Sequence, residues 1–433
     1  MSETSRSGSL VRSISLPQAI ALYVSAVLGA GVLVLPGQVA SMAGPASLLA
    51  WGFACVLGVP LAVMFAQLGR RFPDAGGVST YLSRAFGPFM GGIGGWWYFV
   101  AGSVGQTIVP LTGGYYVSEA LGVGSGWAYA VAAVILGVAV AANCGGARVG
   151  ARVQVGLAIG VAVILVLAIA AAAPRMHTAA LHPFAPHGLT GVGQAVIVLF
   201  FAFAGWEAVA HLAEEFRDSD RDLVRATTAT IVIITVLYLG VAGAVVLTGS
   251  YGSPHADRVA VARLLSGAFG SGAGVAAAVA AVVISLGTTN AFVASVSRLG
   301  YALARDRWLP APVSRTTRRG TPIGGVVLVT AVASLGLGLA AALGWGTEQL
   351  VVIPATLVVF VYLAAATAGI RLLTGVGRFC SIATVVLTLT VLPAALGHLL
   401  IPAATAAAAA AYALATRAHR RPEAAEVGDR PGR

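Results

Sequence analysis

Long, nearly uninterrupted apolar runs limit what this 433-residue chain can fold into. A run of about 20 apolar residues crosses the hydrocarbon core of a bilayer as a helix. No water is available there to satisfy the backbone, so only helices and closed barrels can span it. Barrel strands are short and alternate in polarity; these runs do neither. Charged residues make up 9% of the chain, against about a quarter in an ordinary soluble domain. The expected fold class is an all-α membrane protein embedded in a lipid bilayer.

Twelve spans can be placed, at about 16–42, 47–69, 89–118, 127–143, 153–173, 190–213, 226–249, 267–297, 323–343, 348–370, 379–397 and 399–416. Only His398 and Pro402 separate the last two. Alternating the loops between two sides puts 23 of the 26 basic residues on the side of the termini. The other side holds only Arg175, Arg258 and Arg263. Basic loops stay in the cytoplasm, so the expectation is a multi-pass cell-membrane protein with both termini cytoplasmic. The net charge of +11 sits in short loops and reads as topology, with no nucleic-acid partner. Residues 1–15 form a polar tail without a cleavable signal pattern. Residues 417–433 form a charged tail with Pro422 and Pro431, read as disordered.

All basic residues are Arg and none is Lys. A Walker-A loop and a Schiff-base cofactor each need a lysine, so neither is encoded here, and no cofactor is expected. Cys55, Cys144 and Cys380 are scattered and suit neither a metal site nor a disulfide framework. His177, His182 and His187 lie five apart in one external loop, too far apart to argue for a metal.

Two spans are interrupted. Span one carries Gly29-Ala30-Gly31 near its centre, and span six carries Ala204-Gly205 before Trp206 and Glu207. Glycine leaves helical geometry without steric cost, and the freed N–H and C=O groups can then hold a polar solute. Each broken span opens a set of five. Broken helices at matching positions of two halves point to a transporter built of inverted repeats. Close helix packing is the alternative use for any one of these glycines, since the chain has 55.

These residues carry a resemblance. Gly29-Ala-Gly-Val-Leu-Val-Leu-Pro36 is similar to the first-helix motif of the amino acid–polyamine–organocation superfamily. Phe200 to Glu207, with the loop from Ala213 to Ala226, resembles its sixth helix and the loop behind it. Ser297 to Pro310 looks like its eighth-helix exit. Arg70 to Val78 and Glu207 to Glu215 resemble the branch that exports methionine and branched-chain amino acids. The resemblance covers about residues 14 to 416. It implies 12 transmembrane helices in a LeuT-like fold: a first inverted repeat at 16–173, a second at 190–370 and peripheral helices at 379–416. It also implies alternating access, with the substrate's amino and carboxyl groups held at Gly29, Ala30, Gly31, Ala204 and Gly205, and Phe201 gating the pocket.

Glu207 is the sole carboxylate in the middle of a span. Such a group is costly unless paired, protonated or wetted, which makes it a candidate for coupling or gating; bracing the broken helix is the other reading. His211, four residues on, shares its helical face and could share its proton, or simply pack. Thr288, Thr289 and Asn290 are candidates for an ion or pocket site, although membrane hydroxyls commonly bond their own helix. Protons rank above sodium as the coupling ion, and the helix-five lysine of some proton-linked relatives is missing. Asn143 and Gln106 are polar residues of pocket or packing type. Acids and arginines alternate from Glu214 to Arg225, as in a gate or a solvated loop.

The expected activity is secondary transport of small hydrophobic amino acids, by export or exchange, with import of a different neutral substrate as the alternative. No intramembrane Asp or Arg is available for a charged side chain. A membrane enzyme would need a His-Glu-x-x-His or Gly-x-Ser-x-Gly motif, and a channel would need rings of charge or repeated carbonyls.

Overall fold

The computed structural model describes residues 16–72, 74, 76–145, 151–207, 219–318 and 320–418. Among them the regular structure is helical, with no strand. The helices are α1 (Leu16–Val27), α2 (Gly31–Ala43), α3 (Ser47–Arg71), α4 (Val78–Phe86) and α5 (Pro88–Leu121). Next come α6 (Gly126–Cys144), α7 (Ala151–Ala172), α8 (Gly188–Ala202), α9 (Ser219–Leu247) and α10 (Ala260–Phe269). The last five are α11 (Ser271–Arg305), α12 (Ile323–Leu343), α13 (Val352–Leu372), α14 (Gly375–Ala395) and α15 (Leu400–Ala418). Among the described residues, eight helical stretches are long and apolar enough to cross a membrane, with α2 and α3 counted as one.

At 34 residues α5 is among the longest helices, yet it is not one of those eight. Glycines, hydroxyls, Gln106 and tyrosines lower its hydropathy. It can carry them because it is buried in protein, with Ser103, Gln106, Thr107 and Thr112 all at 1% exposure or less. Helix α11 packs along it. Lipid-facing helices show the opposite character: α7 exposes Val153, Ile159, Val163, Val166 and Leu167.

The breaks expected in spans one and six are present, and the start of span eight needs a correction. Span one is two helices, α1 and α2, separated by Leu28–Ala30. Among its described residues span six is helical to Ala202, and Phe203–Glu207 forms turns. Span eight does not begin at 267: α10 ends at Phe269, Gly270 turns the chain at φ +79, and α11 runs from 271 to 305. The amphipathic α4 was not anticipated. It buries Val78, Tyr81 and Leu82 while Arg84 stays exposed.

At one end of the molecule a short helix, Pro254–Arg258, lies directly on α2. A side chain at Gly37 would collide with the Asp257 backbone, so this approach requires glycine. Arg258 donates from Nε to Glu348 Oε2 at 3.1 Å and stacks over the Tyr115 ring. Gln38 Nε2 donates to Thr347 Oγ1 at 2.7 Å. These contacts tie α2, α5 and the approach to α13 together at that end. At the other end Arg84 lies over Phe72, and Arg371 lies over Phe86 while donating to the Ala85 carbonyl.

Candidate functional site

The two interruptions face each other. At the first, Leu28 N–H still bonds Val24 O at 2.7 Å, Gly29 N–H turns back to Val27 O at 2.8 Å, and the helix resumes at Gly31. A helix start leaves its first N–H groups without intrahelical acceptors, and α2 begins with no side-chain cap at Ala30. Val32 and Leu33 N–H turn back to Gly29 O at 3.3 Å and Ala30 O at 3.1 Å, so what the positive end can offer an anion is the N–H groups of Ala30 and Gly31 and the helix dipole. At the second, Phe203 N–H closes α8 onto Leu199 O at 3.2 Å and Ala204 N–H reaches Phe201 O at 3.4 Å. Gly205 then takes φ +131, a conformation side chains rarely adopt.

One hydroxyl joins the two breaks. Tyr238, on α9 and 1% exposed, lies with its Oη 3.0 Å from Val27 O and 3.0 Å from Ala202 O. These are the carbonyls where α1 and α8 stop. Having a single proton, the hydroxyl can donate a full bond to only one of them at a time.

A cavity lies between the breaks. Gly29, Ala30, Gly31, Phe201 and Ala204 line it, with walls supplied by α5, α9, α11 and α13. Most of the lining is apolar, including Val32, Ala101, Val109, Phe292 and Val358. Phe201 stands beside the first break, because a Cβ on Gly31 would lie 3.7 Å from its ring. Gly205 and Glu207 are buried behind the cavity and are not part of its lining.

Glu207 is held from three directions. Tyr98 on α5 donates to Oε1, Tyr362 on α13 donates to Oε2 at 2.6 Å, and Gly205 N–H donates to Oε2 at 3.1 Å. The Tyr362 hydroxyl also lies 2.9 Å from Phe203 O. The carboxylate therefore fastens the turn after α8 to two other helices. His211 lies outside the described residues, so its relation to Glu207 is not part of this geometry.

The polar triplet of span eight divides. Thr288 lines the cavity, with its Cγ2 3.4 Å from where a Cβ on Gly29 would stand. Thr289 is fully buried elsewhere, and Asn290 accepts from Asn143 Nδ2 at 2.8 Å, tying α11 to α6. Consecutive helical residues point about 100° apart, so three neighbours do not share one ion. Among the described residues no three His, Cys, Asp or Glu side chains converge as a metal site would require. Tyr98, Tyr238 and Tyr362 were missed by sequence reading. Each is an aromatic in an apolar span, where packing is the usual role, and nothing local marks its partner.

A multi-pass helical protein with a mostly apolar recess between two broken helices has the architecture of a membrane permease. The profile of the amino acid permease family matches residues 14–409, and the chain belongs to that family, within the amino acid–polyamine–organocation superfamily. It is 33% identical to an uncharacterized amino acid permease of Bacillus subtilis, over 77% of this chain and 78% of that one. It is 29% identical to the L-methionine/branched-chain amino acid exporter of Escherichia coli, over 86% of this chain and 89% of that one. To a serine/threonine exchanger of Bacillus subtilis it is 26% identical, over 70% of each. The chain is a transporter, not an enzyme, and its substrates are amino acids.

Proposed function

We propose that the chain is a secondary active transporter of small, neutral, mainly apolar amino acids of the methionine and branched-chain kind, working by alternating access as an exporter or exchanger. The observation that carries this reading is the cavity itself. One helix start and two terminal carbonyls border an otherwise apolar recess. A zwitterion suits that pairing: its carboxylate meets the N–H end of α2 and its ammonium supplies donors to carbonyls that share one tyrosine proton. An uncharged side chain suits the rest. Likeness to a methionine and branched-chain exporter supports the same substrate class. The test is counterflow in proteoliposomes. Labelled methionine, leucine and valine are expected to accumulate against unlabelled internal amino acid, whereas arginine and lysine are not. Accumulation without trans-stimulation would indicate a channel instead.

In this reading the twelve spans form two inverted five-helix repeats, 16–173 and 190–370, with α14 and α15 peripheral. Both termini face the cytoplasm, so the Arg258–Glu348 end is external. A reporter that functions only in the cytoplasm, fused after Arg433, is expected to be active; an inactive reporter in a correctly inserted protein would overturn the span count. Protons are the proposed coupling ion, since a lone Thr288 hydroxyl on the cavity wall is a poor site for a hard cation. Import of a neutral amino acid through the same site is the second reading, because gradients set the direction of flux.

A further inference from the structure

One of the few polar residues in the cavity's lining carries an atom without a partner. Gln106 lies on α5, 1% exposed, and lines the cavity. Its side-chain nitrogen donates to the Gly102 carbonyl, one turn back, at 3.1 Å. A carbonyl accepts and cannot donate, so this contact fixes which end of the amide is nitrogen. The other end, Oε1, is buried and has no hydrogen-bond partner. Buried amide oxygens almost always have one.

Of the other polar side chains in the lining, Thr288 lies beside the first break, its Cγ2 3.4 Å from where a Cβ on Gly29 would stand, and the two tyrosines are engaged. Tyr98 donates to Glu207, and Tyr238 serves the two terminal carbonyls. The breaks offer N–H and C=O groups suited to the ammonium and carboxylate of an amino acid. Gln106 is on neither break. It stands on the α5 wall next to Gly105, whose added Cβ would lie 3.4 Å from the Phe201 ring. What remains of the substrate to meet that wall is the side chain.

We infer that Gln106 is a specificity-determining residue whose free Oε1 accepts a hydrogen bond from the substrate's side chain, so that neutral amino acids bearing a small hydroxyl or amide donor are bound ahead of their apolar isosteres. Threonine and valine are the diagnostic pair, since they match in shape and differ in one donor. A site built around an unpaired acceptor penalises the ligand that leaves it unpaired. The inference rests on the amino acid transporter reading above and extends its substrate range.

The test measures inhibition constants for counterflow in proteoliposomes, with threonine, valine and O-methylserine as competitors. O-methylserine is an isomer of threonine that keeps an oxygen but has no hydroxyl proton. In the unaltered protein threonine is expected to outcompete both others by about threefold to tenfold. In Gln106→Leu and Gln106→Met the threonine-to-valine ratio is expected to fall by a similar factor, with valine affinity kept or improved. Each ratio is taken within one preparation, so differences in expression cancel. The comparison of the three competitors needs no variant and stands even if both substitutions misfold. Equal affinities for threonine, valine and O-methylserine in the unaltered protein would overturn the inference, as would a ratio unmoved in folded variants. Failure of every amino acid to compete would instead overturn the transporter reading.

Discussion

Gly31→Leu is expected to abolish amino acid binding, a loss of at least about 100-fold in affinity, while the protein still inserts and purifies as a single species. A Cβ on Gly31 would stand 3.4 Å from Leu35 Cδ1 and 3.7 Å from the Phe201 ring. Those are ordinary contacts, so Gly31→Ala is expected to fold and to bind more weakly. Leucine adds three further carbons, and they must occupy the cavity or displace Phe201. They also cover the start of α2, where N–H groups and the helix dipole offer a place for a carboxylate. The measurement is equilibrium binding of labelled amino acid to purified protein, with size-exclusion chromatography as the folding control. Unchanged affinity in Gly31→Leu would remove the first break from the binding site.

Glu207→Ala is expected to reduce exchange by more than about tenfold and to lower expression as well. The substitution leaves the buried Tyr98 hydroxyl and the Gly205 N–H without their acceptor, at about 1–3 kcal/mol for each orphaned group. Tyr362 suffers less, because Phe203 O remains 2.9 Å away. Glu207→Gln separates bracing from coupling. Glutamine keeps one acceptor, and its amide nitrogen can donate to a tyrosine oxygen, so exchange of amino acid for amino acid is expected to persist. It cannot carry a proton. When the turn after α8 moves away from Tyr98 and Tyr362, a bare carboxylate in apolar surroundings would be left, and a proton relieves that penalty. If protons are the coupling ion, as proposed, net transport by the unaltered protein is expected to depend on external pH and that by Glu207→Gln is not. An unaltered pH profile would leave Glu207 as a brace alone.

The sequence showed the fold wherever the signal was local. Apolar runs locate most helices, and the glycines at 29, 31 and 205 lie at or beside both breaks because a break needs residues tolerant of unusual backbone. What stayed hidden depends on distance or on direction. Tyr98 and Tyr362 meet Glu207 across 109 and 155 residues, and no spacing rule reaches so far. Span eight was drawn through Gly270 because hydropathy does not register a chain reversal that adds no charge. Helix α4 is nine residues long and only one of its faces is apolar, too little for a window tuned to bilayer thickness. The triplet at 288–290 read as one polar patch, but successive residues of a helix face different neighbours, and only Thr288 turned towards the cavity.

Tyr238 has a mechanical consequence. Its hydroxyl is shared between the stump of α1 and the stump of α8, so a stump that swings away alone takes its terminal carbonyl from that donor while the other keeps it. Displacing both together, or displacing them while a ligand's ammonium takes over the stranded carbonyl, avoids that loss. If the chain works by alternating access, as proposed, an empty carrier whose two stumps have moved out of step is thus the disfavoured arrangement, and solute leaking down its gradient without work being done would need such a state. In that reading a single phenol holding two broken helices in step would guard against slippage.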